Sequence, residues 1–320
     1  MDITISHGAM LDAVQHALHQ RDWTALGQLA RKKPASVIKT LRDAQVMSSA
    51  SEHHHPKALT AMAEALLRMG AHQDAGLALY LASRALGDVG RLPLPLQAAL
   101  LQHHPLWHED ARGRRLSFAR PAERHRAFLI DTLSDPEFRH QYNAFLEPAP
   151  EAAQAYIDRA RKPATQVQQV NWVIESLDGR PHGLATIAKL NLIQRTGELI
   201  VGFPQGQRTA RRTGEAFLMV LSLAFRDLRL RKLNSLVYAD NPLSQDLTIR
   251  SGFTQEGYLR EQLVLPGHDK AMDLYLNGCL AKDYFANTWL ADHASHLMAG
   301  VDLNRLFDPQ RKAAISSTST

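Results

Sequence analysis

Three arginines, Arg208, Arg211 and Arg212, fall just ahead of a strongly apolar-striped helix pattern. A helix N-terminus offers unpaired N–H groups and the positive end of the helix dipole. Guanidiniums placed there could add charge-assisted bonds to an anion. The competing reading is a solvated basic loop. Further on, Ser244 stands near the start of a shorter helix pattern. There a serine commonly caps the helix. The remaining reactive types are less promising. His53-His54-His55 and His103-His104 are adjacent in sequence, and adjacent side chains diverge where metal ligands must converge. We therefore expect no metal. Cys279 is the only cysteine, which excludes an intrachain disulfide and a Cys-rich zinc or iron–sulfur site. It reads as a buried residue in a short helix. No Gly-x-Ser-x-Gly elbow and no lysine-bearing P-loop occurs.

These residues need a scaffold, and composition bounds it. With 320 residues, 45% apolar and 22% charged, the chain suits about two globular domains rather than a collagen-like or disordered polymer. No window approaches the ~18 consecutive apolar residues of a membrane span. The start, Met1-Asp2-Ile3-Thr4, lacks the basic and apolar regions of a secretory signal. The cytoplasm is the default expectation. Lys+Arg 37 against Asp+Glu 32 gives +5, an excess that fits an anionic cofactor or substrate and is too small to argue for nucleic acid.

Two textures follow along the chain. Residues 1 to about 110 read as helical, with apolar spacing at Met10-Leu11, Val14 and Leu18, then at Leu26, Leu29, Val37-Ile38 and Leu41. Ala58–Met69 and Ala75–Leu86 form a second pair, each ending at glycine. Trp23, Leu26 and Gly27 faintly match the start of a tetratricopeptide repeat; a plain bundle is the alternative. Leu92-Pro93-Leu94-Pro95 and 103–115 read as a connector. From Arg114 strands and helices alternate. Short strands are expected at Leu116–Phe118, Val167–Leu177, Gly183–Leu192 and Glu198–Phe203, with Asp178-Gly179 as a hairpin turn. Helices are expected at Ala122–Leu133, from Asp135 onward, and up to Arg161. The amphipathic helix is expected at Gly214–Leu228. Ser235–Ala239 is a strand, Pro242–Ser251 a helix, and Tyr258–Leu265 and Ala271–Leu276 closing strands. Residues 286–307 read as a terminal helix and Ala313–Thr320 as a disordered tail.

This order, with Leu116-Ser117-Phe118-Ala119-Arg120-Pro121, Ser134-Asp135-Pro136-Glu137 and above all Asn241-Pro242-Leu243-Ser244 before Ser251-Gly252-Phe253, resembles the GNAT superfamily of acyl-CoA-dependent N-acetyltransferases. Within it the residues look like the branch that includes ribosomal-protein N-terminal acetyltransferases and amino-sugar N-acetyltransferases. Glu256–Glu261, Asp273 and Leu280–Tyr284 extend the match, which covers about Arg114 to Tyr284. The implied class is α/β: a GNAT-like mixed, splayed central sheet flanked by helices, preceded by an all-helical N-terminal domain. The implied regions are 1–112 helical, 113–286 GNAT-like, and 287–320 a C-terminal helix and tail.

The resemblance also implies roles. Acetyl-CoA, the co-substrate, would lie between two parting strands, Leu199–Phe203 and Ser235–Asp240. Its pyrophosphate would sit on the loop Gln207-Arg208-Thr209-Ala210-Arg211-Arg212-Thr213-Gly214. That loop departs from the family's glycine pattern: counted from Gln207 the glycine positions are Ala210 and Arg212, and from Arg208 they are Arg211 and Thr213. Val201 and Phe203 would line the acyl site, with the Val201 region as oxyanion donor. Asn241 would hold pantetheine or water. Many family members place an acidic tyrosine where this chain has Thr248. Ser244 is the alternative acid, with helix capping as its competing role. Glu198 is the implied base, a solvent-facing strand residue its competing reading, and Glu175 and Asp240 the fallbacks. The implied activity is acetyl transfer to a primary amine of a protein N-terminus, amino sugar, polyamine or other small amine. The helical region could position that acceptor or bind a protein partner. The alternatives are a longer acyl donor, or a catalytically degenerate acyl-CoA-binding or interaction module.

Overall fold

The computed structural model describes residues 7–20, isolated positions up to 29, and then 56–87, 89–142, 149–264 and 271–307. The repeat-like Trp23 signal, the Val37–Leu41 segment, the His53–His55 run and the tail after 307 lie outside the described residues. The chain divides into two compact units, Met1–Pro105 and Leu106–Thr320. No helix among the described residues is long and apolar enough to cross a membrane.

The first unit is helical where described: α1 (His7–His19), α2 (Pro56–Arg68), α3 (His72–Leu86) and α4 (Leu94–His103). The α4 segment corrects the connector reading. Pro95 stands in its first turn, where a missing N–H costs nothing. The helix α3 ends at Gly87, whose left-handed φ of 73° lets its N–H reach the Arg84 carbonyl. Gly76 is needed for packing: a Cβ there would stand 1.7 Å from the His103 carbonyl oxygen.

His104, just after α4, is buried and meets Tyr80 edge-on, with ring centroids 5.2 Å apart. Desolvation lowers its pKa to about 3. The ring is thus neutral when folded but takes a proton near pH 6.5 when unfolded. The stability it supports is complete above about pH 6.5 and falls as pH drops towards 3, by up to ~1.4 kcal/mol per pH unit. Denaturant titrations of wild type and His104→Gln at pH 7 and pH 4.5 should show the wild type losing more stability. Equal losses would exclude His104 as the responsible group.

The second unit is built on one eight-stranded sheet. The strands are β1 (Ala111–Arg112), β2 (Leu116–Ala119), β3 (Val170–Ser176), β4 (Pro181–Asn191), β5 (Thr196–Gly202), β6 (Lys232–Tyr238), β7 (Thr254–Val264) and β8 (Ala271–Leu280). Their order is β1-β2-β3-β4-β5-β6-β8-β7. Every neighbouring pair is antiparallel except β5 and β6, which run parallel. Cys279 therefore lies in β8, not in a helix. It is buried, and burial pushes its thiol pKa up to about 12, leaving it inert.

The helices α5 (Arg126–Ser134), α6 (Pro136–Tyr142) and α7 (Glu151–Ala160) pack apolar side chains, including Leu133, Phe138, Tyr156 and Ile157, on Val173 and Leu184 of the sheet. The hydroxyls of Tyr142, Tyr156 and Thr186 bond one another at 2.6–2.9 Å, and Thr186 also donates to Asn171 Oδ1. These buried polar groups are thereby satisfied. The amphipathic helix α8 (Ala210–Ser222) begins four residues before the expected Gly214 and continues as a π-helical turn through Asp227. After it come α9 (Pro242–Arg250), α10 (Ala281–Ala286) and α11 (Thr288–Leu297). The expected terminal helix thus stops before Gly300, which takes a φ of 78°.

Candidate active site

The parallel pair β5–β6 holds register at three positions only: Thr196 with Lys232, Gly197 with Leu233 and Glu198 with Asn234. Beyond Glu198 both strands continue, β5 to Gly202 and β6 to Tyr238, but they no longer pair with each other. Their outer ladders with β4 and β8 persist. The parting begins at Leu199 and Ser235, at the first residues of the two strands that the family resemblance implies would splay. The two facing edges carry backbone groups that need a partner. Between them lies a cleft of about 480 Å³.

Glu198 stands at the vertex. Its side chain is 12% exposed, and Oε2 accepts from Lys189 Nζ at 2.7 Å. Lys189 is positioned by an irregularity in β4: register shifts between Ala188 and Asn191, and Lys189 takes a φ of 47°. Both fallback carboxylates lie outside the cleft lining. Glu175 is buried and engaged: His125 Nε2 donates to its Oε1 at 2.6 Å while His125 Nδ1 accepts from the Ala122 N–H. Arg124 covers it from the solvent side. Asp240 is exposed and pairs with His140 at 3.3 Å.

The open end is formed by the loop into α8. Thr209 caps that helix, its hydroxyl accepting from the Arg212 N–H at 3.2 Å. Arg208 and Thr213 line the cleft. Thr213 Oγ1 is buried with no hydrogen-bond partner. A buried hydroxyl without a partner costs free energy, and this one is well placed for an anionic or amide-bearing ligand. The other loop residues, Thr209, Ala210, Arg211, Arg212 and Gly214, lie outside the lining. Arg212 turns back to the Gln207 carbonyl at 3.0 Å. Gly214 faces elsewhere: a Cβ there would stand 2.8 Å from Leu297 Cδ1 of α11. Its small size serves helix packing.

At the second edge, Asn241 and Ser244 both line the cleft. The cap of α9 is Asn241, whose Oδ1 accepts from the Ser244 N–H at 3.1 Å. This corrects the capping alternative for Ser244. Its hydroxyl has no hydrogen-bond partner among the described residues. Thr248 is buried and donates Oγ1 to the Ser244 carbonyl at 2.8 Å. Asn241→Ala should therefore cost ~1 kcal/mol of stability, whereas Ser244→Ala should leave the melting temperature unchanged. A lower melting temperature for Ser244→Ala would contradict this division.

Val201 and Phe203 line the cleft. Missed in the sequence were Phe138 and Tyr142 of α6, which close over Gly202: a Cβ there would stand 2.6 Å from Tyr142 Cδ2. Also missed was Tyr238, whose ring stacks on His140 at 5.5 Å. A strand-end glycine between Val201 and Phe203 was the only available signal. Among the described residues no group of three or more His, Cys, Asp or Glu could hold a metal ion.

Residues 115–254 match the family model described as the acetyltransferase (GNAT) domain. Among solved structures, spermidine N-acetyltransferase from Vibrio cholerae in complex with CoA and spermine is 19% identical, with a TM-score of 0.47. That match covers 53% of this chain and 98% of the other. An acetyltransferase (GNAT family) from Bacillus anthracis is 15% identical with a TM-score of 0.46, covering 54% and 99%. No curated protein matches the chain.

Proposed function

We propose that the chain, whose residues 115–254 match the family model described as the acetyltransferase (GNAT) domain, transfers an acetyl group from acetyl-CoA to a primary amine. The observation that carries this reading is the parting of β5 and β6 beyond Glu198. It leaves two unpaired backbone edges that suit the amides of a pantetheine arm. The cleft between them has Arg208 and the partnerless Thr213 hydroxyl at the end where α8 begins. That end suits the phosphates, by charge and by helix dipole.

The step needs three things from the chain. A neutral amine must attack the thioester carbonyl carbon, forming C–N as C–S breaks, and the proton it sheds goes to Glu198. The oxyanion that develops needs an N–H, for which the Val201 backbone on the open edge of β5 is our assignment. The departing thiolate takes a proton from the Ser244 hydroxyl, which recovers it from solvent. Asn241 holds α9, and with it Ser244, in place.

The test is a melt of the full chain with acetyl-CoA and with longer acyl-CoAs. Ligand at ~100 times its dissociation constant should stabilise by ~2.7 kcal/mol. Arg208→Ala should weaken binding several-fold, and more at low salt. Arg211→Ala, outside the cleft, should change it little. No stabilisation by any acyl-CoA would sink the proposal. Stabilisation by long-chain donors alone would replace acetyl with a longer acyl group.

A further inference from the structure

We infer that the acceptor is an amine that also carries an anionic group, a carboxylate or a phosphate, rather than a polyamine. The inference rests on the transferase reading above. Among the described residues that line the cleft, the charged ones are Lys189, Glu198 and Arg208. Arg208 stands at the α8 end, where the acyl donor's phosphates are assigned. The vertex, where the amine must arrive, therefore presents one carboxylate and one ammonium. They already hold each other at 2.7 Å.

A polyamine brings several positive charges into a site whose described lining holds one carboxylate. It must take that carboxylate from Lys189 and leave the lysine facing more positive charge. Like charges brought together in a cleft cost free energy. The Lys189 side chain is 72% exposed and water screens part of this cost, but nothing else in the described lining offsets the rest. An acceptor with its own anion changes the exchange. Its amine goes to Glu198 and its anion takes over Lys189, so both protein charges stay paired. The backbone supports a role for Lys189 beyond a surface pair. It sits outside the β4–β5 register with a φ of 47°, a conformation disfavoured for lysine. Such departures collect where a side chain must be aimed. Exposed ion pairs alone are too weak to explain keeping one.

The experiment uses the full chain, acetyl-CoA and matched acceptors: glucosamine against glucosamine 6-phosphate, leucinamide against leucine, and spermidine as the polycation. The readout is the ratio of kcat/KM within each pair, so a loss common to both members cancels. We expect the anionic member of at least one pair to be favoured about three- to tenfold, the range of a single partly exposed charge contact. Spermidine should fall below it. The favoured pair distinguishes a phosphate from a carboxylate. Lys189→Glu should invert the preference and Lys189→Met should abolish it. The methionine variant serves if the glutamate variant loses turnover altogether. Spermidine as the best acceptor, a ratio unmoved by either substitution, or no use of any anionic acceptor while acetyl-CoA still binds would each overturn the inference. Failure to bind acetyl-CoA would instead count against the transferase reading beneath it.

Discussion

Replacing Glu198 with glutamine should lower kcat by about 10²- to 10⁴-fold, the span of general-base contributions, with acetyl-CoA affinity within twofold of wild type. The reasoning starts from position. Glu198 is the last residue of β5 still paired with β6, so its side chain stands where the strands part. Of the three carboxylates considered, it alone lines the cleft. Glu175 is committed to His125 and Arg124, and Asp240 is exposed beside His140. The substitution should leave the fold intact. The Lys189 side chain is 72% exposed and stays hydrated when its partner is neutralised, so the lost pair costs at most ~1 kcal/mol. Pre-steady-state acetyl transfer and a binding isotherm on the same preparation separate the outcomes. Near-normal kcat would remove Glu198 as base and leave water in that role. An equal loss in acetyl-CoA affinity would make it a binding residue.

What the sequence disclosed follows a physical divide. The parting of β5 and β6 was reached only through the family resemblance, because a gap between two strands leaves no mark in the residues of either strand. The Asp178-Gly179 turn, by contrast, was legible locally: Gly179 takes a φ of 85° that few other residues accept. The place of Ser244 in its helix was half legible. Asn-Pro-x-Ser marks a helix start, but only coordinates show that Asn241 provides the cap and frees the serine. In the loop into α8, Arg211, Arg212 and Gly214 look alike in sequence as loop residues. The helix begins at Ala210, which turns Arg212 to Gln207 and Gly214 to Leu297. Long-range contacts of this kind leave no local pattern. The α6 wall over Gly202 was missed for that reason, and so was Glu215, which reads as an ordinary acid in a helix's first turns.

Glu215→Ala should be among the most destabilising single substitutions in the second unit. Glu215 is fully buried on α8. Its Oε1 accepts three backbone N–H bonds, from Arg114 at 2.8 Å, Arg115 at 2.7 Å and Leu116 at 3.1 Å. Truncation leaves these donors without an acceptor, at about 1–3 kcal/mol for each that water cannot reach. We expect a loss of about 3 kcal/mol or more. Gly113 belongs to the same arrangement: a Cβ there would stand 2.8 Å from Glu215 Oε1. The held turn also aims two guanidiniums at the end of α11, Arg114 at the His296 carbonyl (3.0 Å) and Arg115 at the Leu297 carbonyl (3.3 Å). One carboxylate thus ties together the start of β2, the helix whose first turns carry Thr213, and α11. Glu215→Gln keeps an acceptor oxygen and should cost far less than alanine, whereas a role based on charge alone would make the two equal. Chemical denaturation of both variants decides the matter, with acetyl-CoA affinity as a second readout. Because α8 is displaced only when the turn loosens, alanine should weaken binding while glutamine should not. An alanine variant as stable as wild type would show that water replaces the carboxylate and that the turn holds without it.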